Sequence, residues 1–151
     1  MSTNLRAMLI RHEAKRPLPY LDCCGQYWRD CHCAVKGNLT IGVGRNLDDR
    51  GLSVEEILFL LANDMAGCEA EARRVFRWFA AIDDVRRDAV LDMLFNLGMT
   101  KLLRFKKFLA AMEAQHYVQA AAEMRDSKWA EQVGDRALEL ADMIRSGRYR
   151  M

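Results

Sequence analysis

Proline is scarce in this chain. The two prolines, Pro17 and Pro19, lie near the N-terminus, and none interrupts the sequence after them. Proline removes a backbone donor and clashes inside a helix, so its absence favours helices over the remaining length. Long apolar runs are lacking as well. The longest, Ile57 to Ala62, falls far short of the roughly 20 residues a membrane span needs, which excludes a transmembrane helix. There is no signal-peptide core: Ala7-Met8-Leu9-Ile10 is too short, and Arg11, His12 and Glu13 follow at once. The chain is therefore expected to be made in the cytosol, and any work outside needs another export route. Blocks of like charge are missing too. Lys plus Arg number 23 and Asp plus Glu 21, a net charge of +2 with the signs mixed, so there is no basic arm. A composition that is 51% hydrophobic excludes a disordered chain. At 151 residues, with no internal repeat or linker, a single domain is expected.

Residues 4–14 read as a short helix capped by Asn4, with Leu5, Met8, Leu9 and Ile10 as its apolar stripe. The prolines then impose an extended segment. Residues 22–52 are rich in Cys, Gly, Asp and Asn, and Thr40-Ile41-Gly42-Val43-Gly44 gives them hairpin character. Ser53-Val54-Glu55-Glu56 is a capping box. After it, Val54, Ile57, Leu58, Leu61, Met65, Cys68, Ala72, Val75 and Phe76 recur at steps of three and four, predicting one long amphipathic helix. Cys68 is expected in the core. Asp83 or Asp84 caps a further helix carrying Val85, Ala89, Val90, Met93, Leu94 and Leu97, with Gly98 as its stop. That helix is apolar around much of its girth, which predicts a central position. More helices fall near 101–113, 117–126 and 135–145. The fold class is α+β and predominantly helical. A small β-containing lobe is expected at about 15–52, a connecting helix at about 54–77, and a helical lobe at about 78–151 to which the N-terminal helix adds.

Glu13 ends the first helix, Asp22 follows across the proline elbow, and Thr40 opens the β segment. Singly each is an ordinary surface residue. Together they supply a carboxylic acid at a helix end, a second carboxylate beyond a fixed elbow, and a hydroxyl ahead of Gly-rich backbone. Glycoside hydrolysis needs two carboxyls in unlike environments, one to protonate the leaving oxygen and one to act while charged.

Leu9-Ile10-Arg11-His12-Glu13, Tyr20-Leu21-Asp22 and Thr40-Ile41-Gly42-Val43-Gly44, in that order, resemble the phage-type lysozymes, glycoside hydrolase family 24. The likeness continues through Arg86 to Gly98, Ser127-Lys128-Trp129, Gln132 to Ala137, and Arg148-Tyr149, so it covers nearly the whole chain. It implies a two-lobed lysozyme-like fold and a muramidase that cuts the β-1,4 bond between N-acetylmuramic acid and N-acetylglucosamine in peptidoglycan. Glu13 is then the general acid and Asp22 the second carboxylate, while Thr40 places the attacking water or steadies the sugar. Inversion at the anomeric carbon is implied, with the carboxyls roughly 6.5–9.5 Å apart. Asn46 and Phe95 correspond to cleft positions, and Arg136 to an arginine that pairs with the catalytic Glu. Asn96, Trp129 and Gln132 fit a supporting hydrogen-bonded cluster. The resemblance further implies no cofactor, no catalytic metal, a monomer, peptidoglycan strands as the partner, and release from the host cytoplasm to the wall through a holin-type lesion, ending in host lysis.

The chain departs from the family between Asp22 and Thr40, where the segment is much longer and holds four of the five cysteines beside His32. Three states stand open for Cys23-Cys24…Cys31-His32-Cys33: bound zinc, a disulfide formed after export, or free thiols. Arg45-Asn46-Leu47 replaces a His-containing turn, so any ion pair made there is lost or rebuilt. Cleft positions near Phe108 and Glu123 also differ from the family's polar residues. Two other enzyme or binding classes fit the residues less closely: a glycan-binding module without catalysis, and a lytic transglycosylase. A zinc-stabilised nucleic-acid binder would draw on Arg86-Arg87 or Lys106-Lys107, but the mixed charges argue against it.

Overall fold

A computed structural model describes residues 3–149. The first helix, α1, runs Thr3–Glu13, so Asn4 lies inside it rather than capping it. The proline segment forms β1, Arg16–Leu21, followed by β2, Leu39–Gly42, and β3, Arg45–Asn46. The three strands make one antiparallel sheet in the order β1-β2-β3. Proline has no N–H to give to a ladder, and β1, which carries both prolines, is an edge strand with its register broken between Arg16 and Tyr20. Thr40 stands opposite Tyr20 on one side and Asn46 on the other. The inserted segment folds back on β1: Tyr27 bridges to Tyr20, and Trp28 N–H donates to the Pro19 carbonyl over 3.4 Å.

The long helix α2 occupies Val54–Val75, against an expected 54–77. Its capping box is formed, with Ser53 N–H donating to Glu56 Oε2 at 2.8 Å and Glu56 N–H to Ser53 Oγ at 3.3 Å. The predicted stripe is only partly covered. Ala72 is buried and Cys68 half-buried, while Val54, Ile57 and Leu58 are exposed. Only the C-terminal turns of α2 lie on a core.

The chain divides into two compact units at Leu58 and Phe59. The first contains α1 and the sheet, and its described buried residues are Tyr20, Leu21 and Thr40. The second is helical: α3 (Asp84–Leu97), α4 (Met99–Leu102), α5 (Lys106–Glu113), α6 (Tyr117–Arg125), α7 (Lys128–Val133) and α8 (Asp135–Ser146). As its girth predicts, α3 is central, with Ala89, Val90, Met93 and Leu94 buried. Asp83 caps it by accepting from Arg86 N–H at 3.1 Å, and Gly98 ends it at φ +72°. The helix expected over 101–113 is broken in two at Leu103–Phe105, and α7 was not anticipated. Phe108 is a core residue, 1% exposed. Arg86 explains how the end of α8 is tied in. Its Nε donates to the Ile144 carbonyl at 2.7 Å, it pairs with Asp83, and its guanidinium lies 3.8 Å from the Tyr117 ring centre. Arg87 pairs with Asp84, so both cations of that dipeptide are committed within the helical unit.

Candidate active site

Glu13 is the last residue of α1 and is exposed. Its side chain lies over the hairpin turn between β2 and β3. A Cβ built on Gly44 would stand 2.8 Å from Glu13 Oε2 and 3.1 Å from its Cδ. Gly44 also has φ +65°, a conformation that L side chains avoid. Glycine is required here on both counts, by the turn and by the carboxyl seated on it.

Asp22 leaves the end of β1 and is held by a single residue. Asn38 N–H donates to its Oδ1 at 2.8 Å, and Asn38 Nδ2 to its Oδ2 at 3.2 Å. The Asp22 amide returns a bond to the Asn38 carbonyl at 3.2 Å. Thr40 Oγ1 donates to that same carbonyl at 3.3 Å. The approach is tight: a Cβ on Gly37 would fall 2.0 Å from Asp22 Oδ1. Asn38 therefore joins the second carboxylate to the threonine through its amide, its side chain and its carbonyl. Sequence reasoning missed it. The available signal was a Gly-Asn pair at the entry to a strand, a turn signature with no functional mark of its own.

Asn46 lies across the ladder from Thr40, but its side chain is committed locally. Its Oδ1 accepts from the amides of Asp48 (2.9 Å) and Asp49 (3.0 Å), and its Nδ2 donates to Asp49 Oδ2 at 2.7 Å. Such an Asx arrangement shapes the turn. Arg45 makes a bidentate pair with Glu56, 2.9 Å and 2.6 Å, and donates twice to the Gly51 carbonyl. The Ser53 amide, helped by Arg45, holds the Glu56 carboxyl below the usual carboxylate range.

Phe95 and Arg136 lie in the helical unit, where they line one cavity of about 420 Å³ with Leu61, Met65 and Leu91. Phe95 is 47% exposed at its rim. Arg136 Nε donates to Asp92 Oδ1 at 2.7 Å. Asp92 is thus the partner the structure gives Arg136, a role not assigned to it from sequence. Trp129 Nε1 donates to Asn96 Oδ1 at 2.8 Å, a hydrogen bond between two members of the expected Asn96, Trp129 and Gln132 cluster.

The inserted segment gathers Cys23, Cys24, Cys31 and Cys33, whose sulfurs all lie within 4.8 Å of one another. Hydrogen bonding to Cys23, and then to Cys31 and Cys24, pushes the Cys33 thiol up to about 12. The Cys33 backbone instead lowers that of Cys31.

A predominantly helical α+β protein with one small three-stranded sheet is the class this fold defines. The sequence model of the phage lysozyme family matches residues 13–145, and the chain belongs to that family. A protein of Dictyostelium discoideum described as probable T4-type lysozyme 1 is 32% identical over 66 residues, covering 44% of this chain and 39% of that one. A second from the same organism, probable T4-type lysozyme 2, is 29% identical over 66 residues. The chain spans about two-fifths of the length of the curated relatives it matches. Among the described residues, no helix is long and apolar enough to cross a membrane.

Proposed function

We propose that this chain is a muramidase, one lysozyme-like domain that hydrolyses the β-1,4 bond between N-acetylmuramic acid and N-acetylglucosamine in peptidoglycan. The observation that carries this reading is Glu13. The family match begins at that residue, and its carboxyl is seated on the Gly44 turn of the motif that the resemblance singles out.

Cleavage of a glycosidic bond requires a proton on the leaving oxygen as positive charge grows at the anomeric carbon. Glu13 donates that proton. Asp22 then takes a proton from water as the water attacks the opposite face of the sugar. Its two oxygens are aimed by Asn38, so the carboxylate needs no reorientation at that moment. The Thr40 hydroxyl gives its own hydrogen to the Asn38 carbonyl, which leaves its lone pairs to accept from that same water. Attack from the face opposite the leaving group inverts the anomeric centre. Phe95 and Arg136 serve as substrate contacts in this reading, and Asn46 shapes the turn beside Thr40. The protein acts as a monomer on glycan strands in the setting of phage-type host lysis, reaching the wall through a holin-type lesion.

Mass spectrometry of soluble products from purified peptidoglycan, with wild type beside Glu13→Gln, tests the reading. Reducing-end muropeptides from the wild type alone support it. Anhydro-muropeptides would make the protein a lytic transglycosylase. No products from either protein, with peptidoglycan retained in a pull-down, would make it a glycan-binding module.

A further inference from the structure

The geometry points to a structural zinc site in the inserted segment, with Cys23, Cys24, Cys31 and Cys33 as its four ligands. Cys23 Sγ lies 3.9 Å from Cys24 Sγ and 3.7 Å from Cys31 Sγ, and all four sulfurs fall within 4.8 Å of one another. A tetrahedral zinc with bonds of about 2.3 Å sets its sulfurs about 3.8 Å apart. The two separations from Cys23 match edges of that tetrahedron, and the other four lie within 4.8 Å, close enough for one ion to draw the sulfurs in. Disulfides would instead draw the sulfurs together in pairs, at about 2.05 Å within each pair.

Two turns create the arrangement. Cys24 N–H and Gly25 N–H both donate to the Leu21 carbonyl, at 3.3 Å and 2.8 Å, which curls Cys23 and Cys24 off the end of β1. Asp30 N–H donates to the Tyr27 carbonyl at 2.8 Å and turns Cys31 and Cys33 back toward them. Three of the four cysteines are exposed, so apolar burial supplies little reason for them to meet. The set is all sulfur, as soft metals prefer, and His32 stays outside it. Binding displaces the four thiol protons to solvent and leaves a centre of net charge −2, in a segment that also carries Arg29 and Lys36. A unit with so few buried residues is the kind that gains most from a metal staple.

This inference stands apart from the proposed catalysis, and its test reads metal. Zinc content of the purified protein kept under reducing conditions is expected at about one per chain. Cys31→Ser is expected to lose it, Cys33→His to keep it because Cys3His sets also hold zinc, and Cys68→Ser to leave it unchanged. If Cys31→Ser fails to fold, cobalt(II) titration of the wild type decides. A tetrathiolate site gives strong thiolate-to-cobalt charge transfer in the near ultraviolet and intense tetrahedral bands in the visible. A reduced protein that holds no zinc when supplied with it and shows no such bands overturns the inference. So does a native mass lowered by two hydrogens for each bridged pair of these cysteines, or zinc retained in equal amount by folded Cys31→Ser.

Discussion

The two units of this chain are held together by different means. The helical unit has an apolar interior in which Phe79, Met93, Leu94, Leu102, Phe108, Met112, Met124 and Ile144 are almost fully enclosed. Among its described residues the first unit buries Tyr20, Leu21 and Thr40 and little else. It relies on directed polar bonds: Asn38 on Asp22 and Thr40, Arg45 on Glu56 and Gly51, and Asp48 on the Leu39 amide at 2.6 Å. Burial is non-directional, so it stabilises without fixing any one side chain. Hydrogen bonds contribute less each, but they set where a carboxylate points. The proposed catalytic groups lie in the unit built the second way.

The strongest test of that contrast is Glu13→Gln. Turnover is expected to fall about 10²–10⁴-fold, the usual worth of a general acid, while the urea midpoint stays put. A comparable loss of stability would mean that Glu13 is part of the frame and not of the chemistry. Phe79→Ala is the mirror experiment. Emptying a fully enclosed aromatic site is expected to cost about 3–5 kcal/mol, read as a lower urea midpoint with turnover per folded molecule retained.

Gly44→Ala should affect both properties at once. A left-handed φ costs a non-glycine residue about 1–2 kcal/mol, and the new methyl meets the Glu13 carboxyl. A several-fold loss of turnover beyond that of a neutral surface variant is expected in steady-state assays. The smallest effect belongs to Glu56→Gln. Because the folded state lowers the Glu56 pKa, its carboxylate stabilises above the ordinary carboxylate value, and that contribution is lost as pH falls through the lowered one. Thermal melts should show the variant slightly less stable at neutral pH, with the gap closing in acid.

Much of the helical unit was legible in the sequence because its signals are local. Asp83 caps, Gly98 stops, and the spacing from Val85 to Leu97 marks a helix enclosed on most sides. What escaped was tertiary in origin. The break at Leu103–Phe105 and the short α7 carry no strong punctuation, and α2 keeps its apolar period even where nothing covers it. In the first unit, Glu13, Asp22 and Thr40 were singled out by the order of the motifs that resemble the family, with Gly44 inside the third of them. Asn38 could not, since its importance lies in what its two neighbours need and not in its type. Arg136 was paired by resemblance with the catalytic carboxylate, whereas within its own unit it binds Asp92, a choice no spacing rule predicts.

The clasp of Asn38 on Asp22 has a consequence for protein engineering. The inserted segment leaves the sheet at Asp22 and returns to it at Asn38, with the two residues bonded to one another. A segment that starts and ends at the same place can change length without moving either end. Each doubling adds only about 0.6 kcal/mol of closure entropy. The exposed stretch Ala34 to Lys36, beyond the four cysteines, is therefore a natural insertion point, where a foreign recognition loop can be carried with those cysteines and the Asp22–Asn38 clasp left in place.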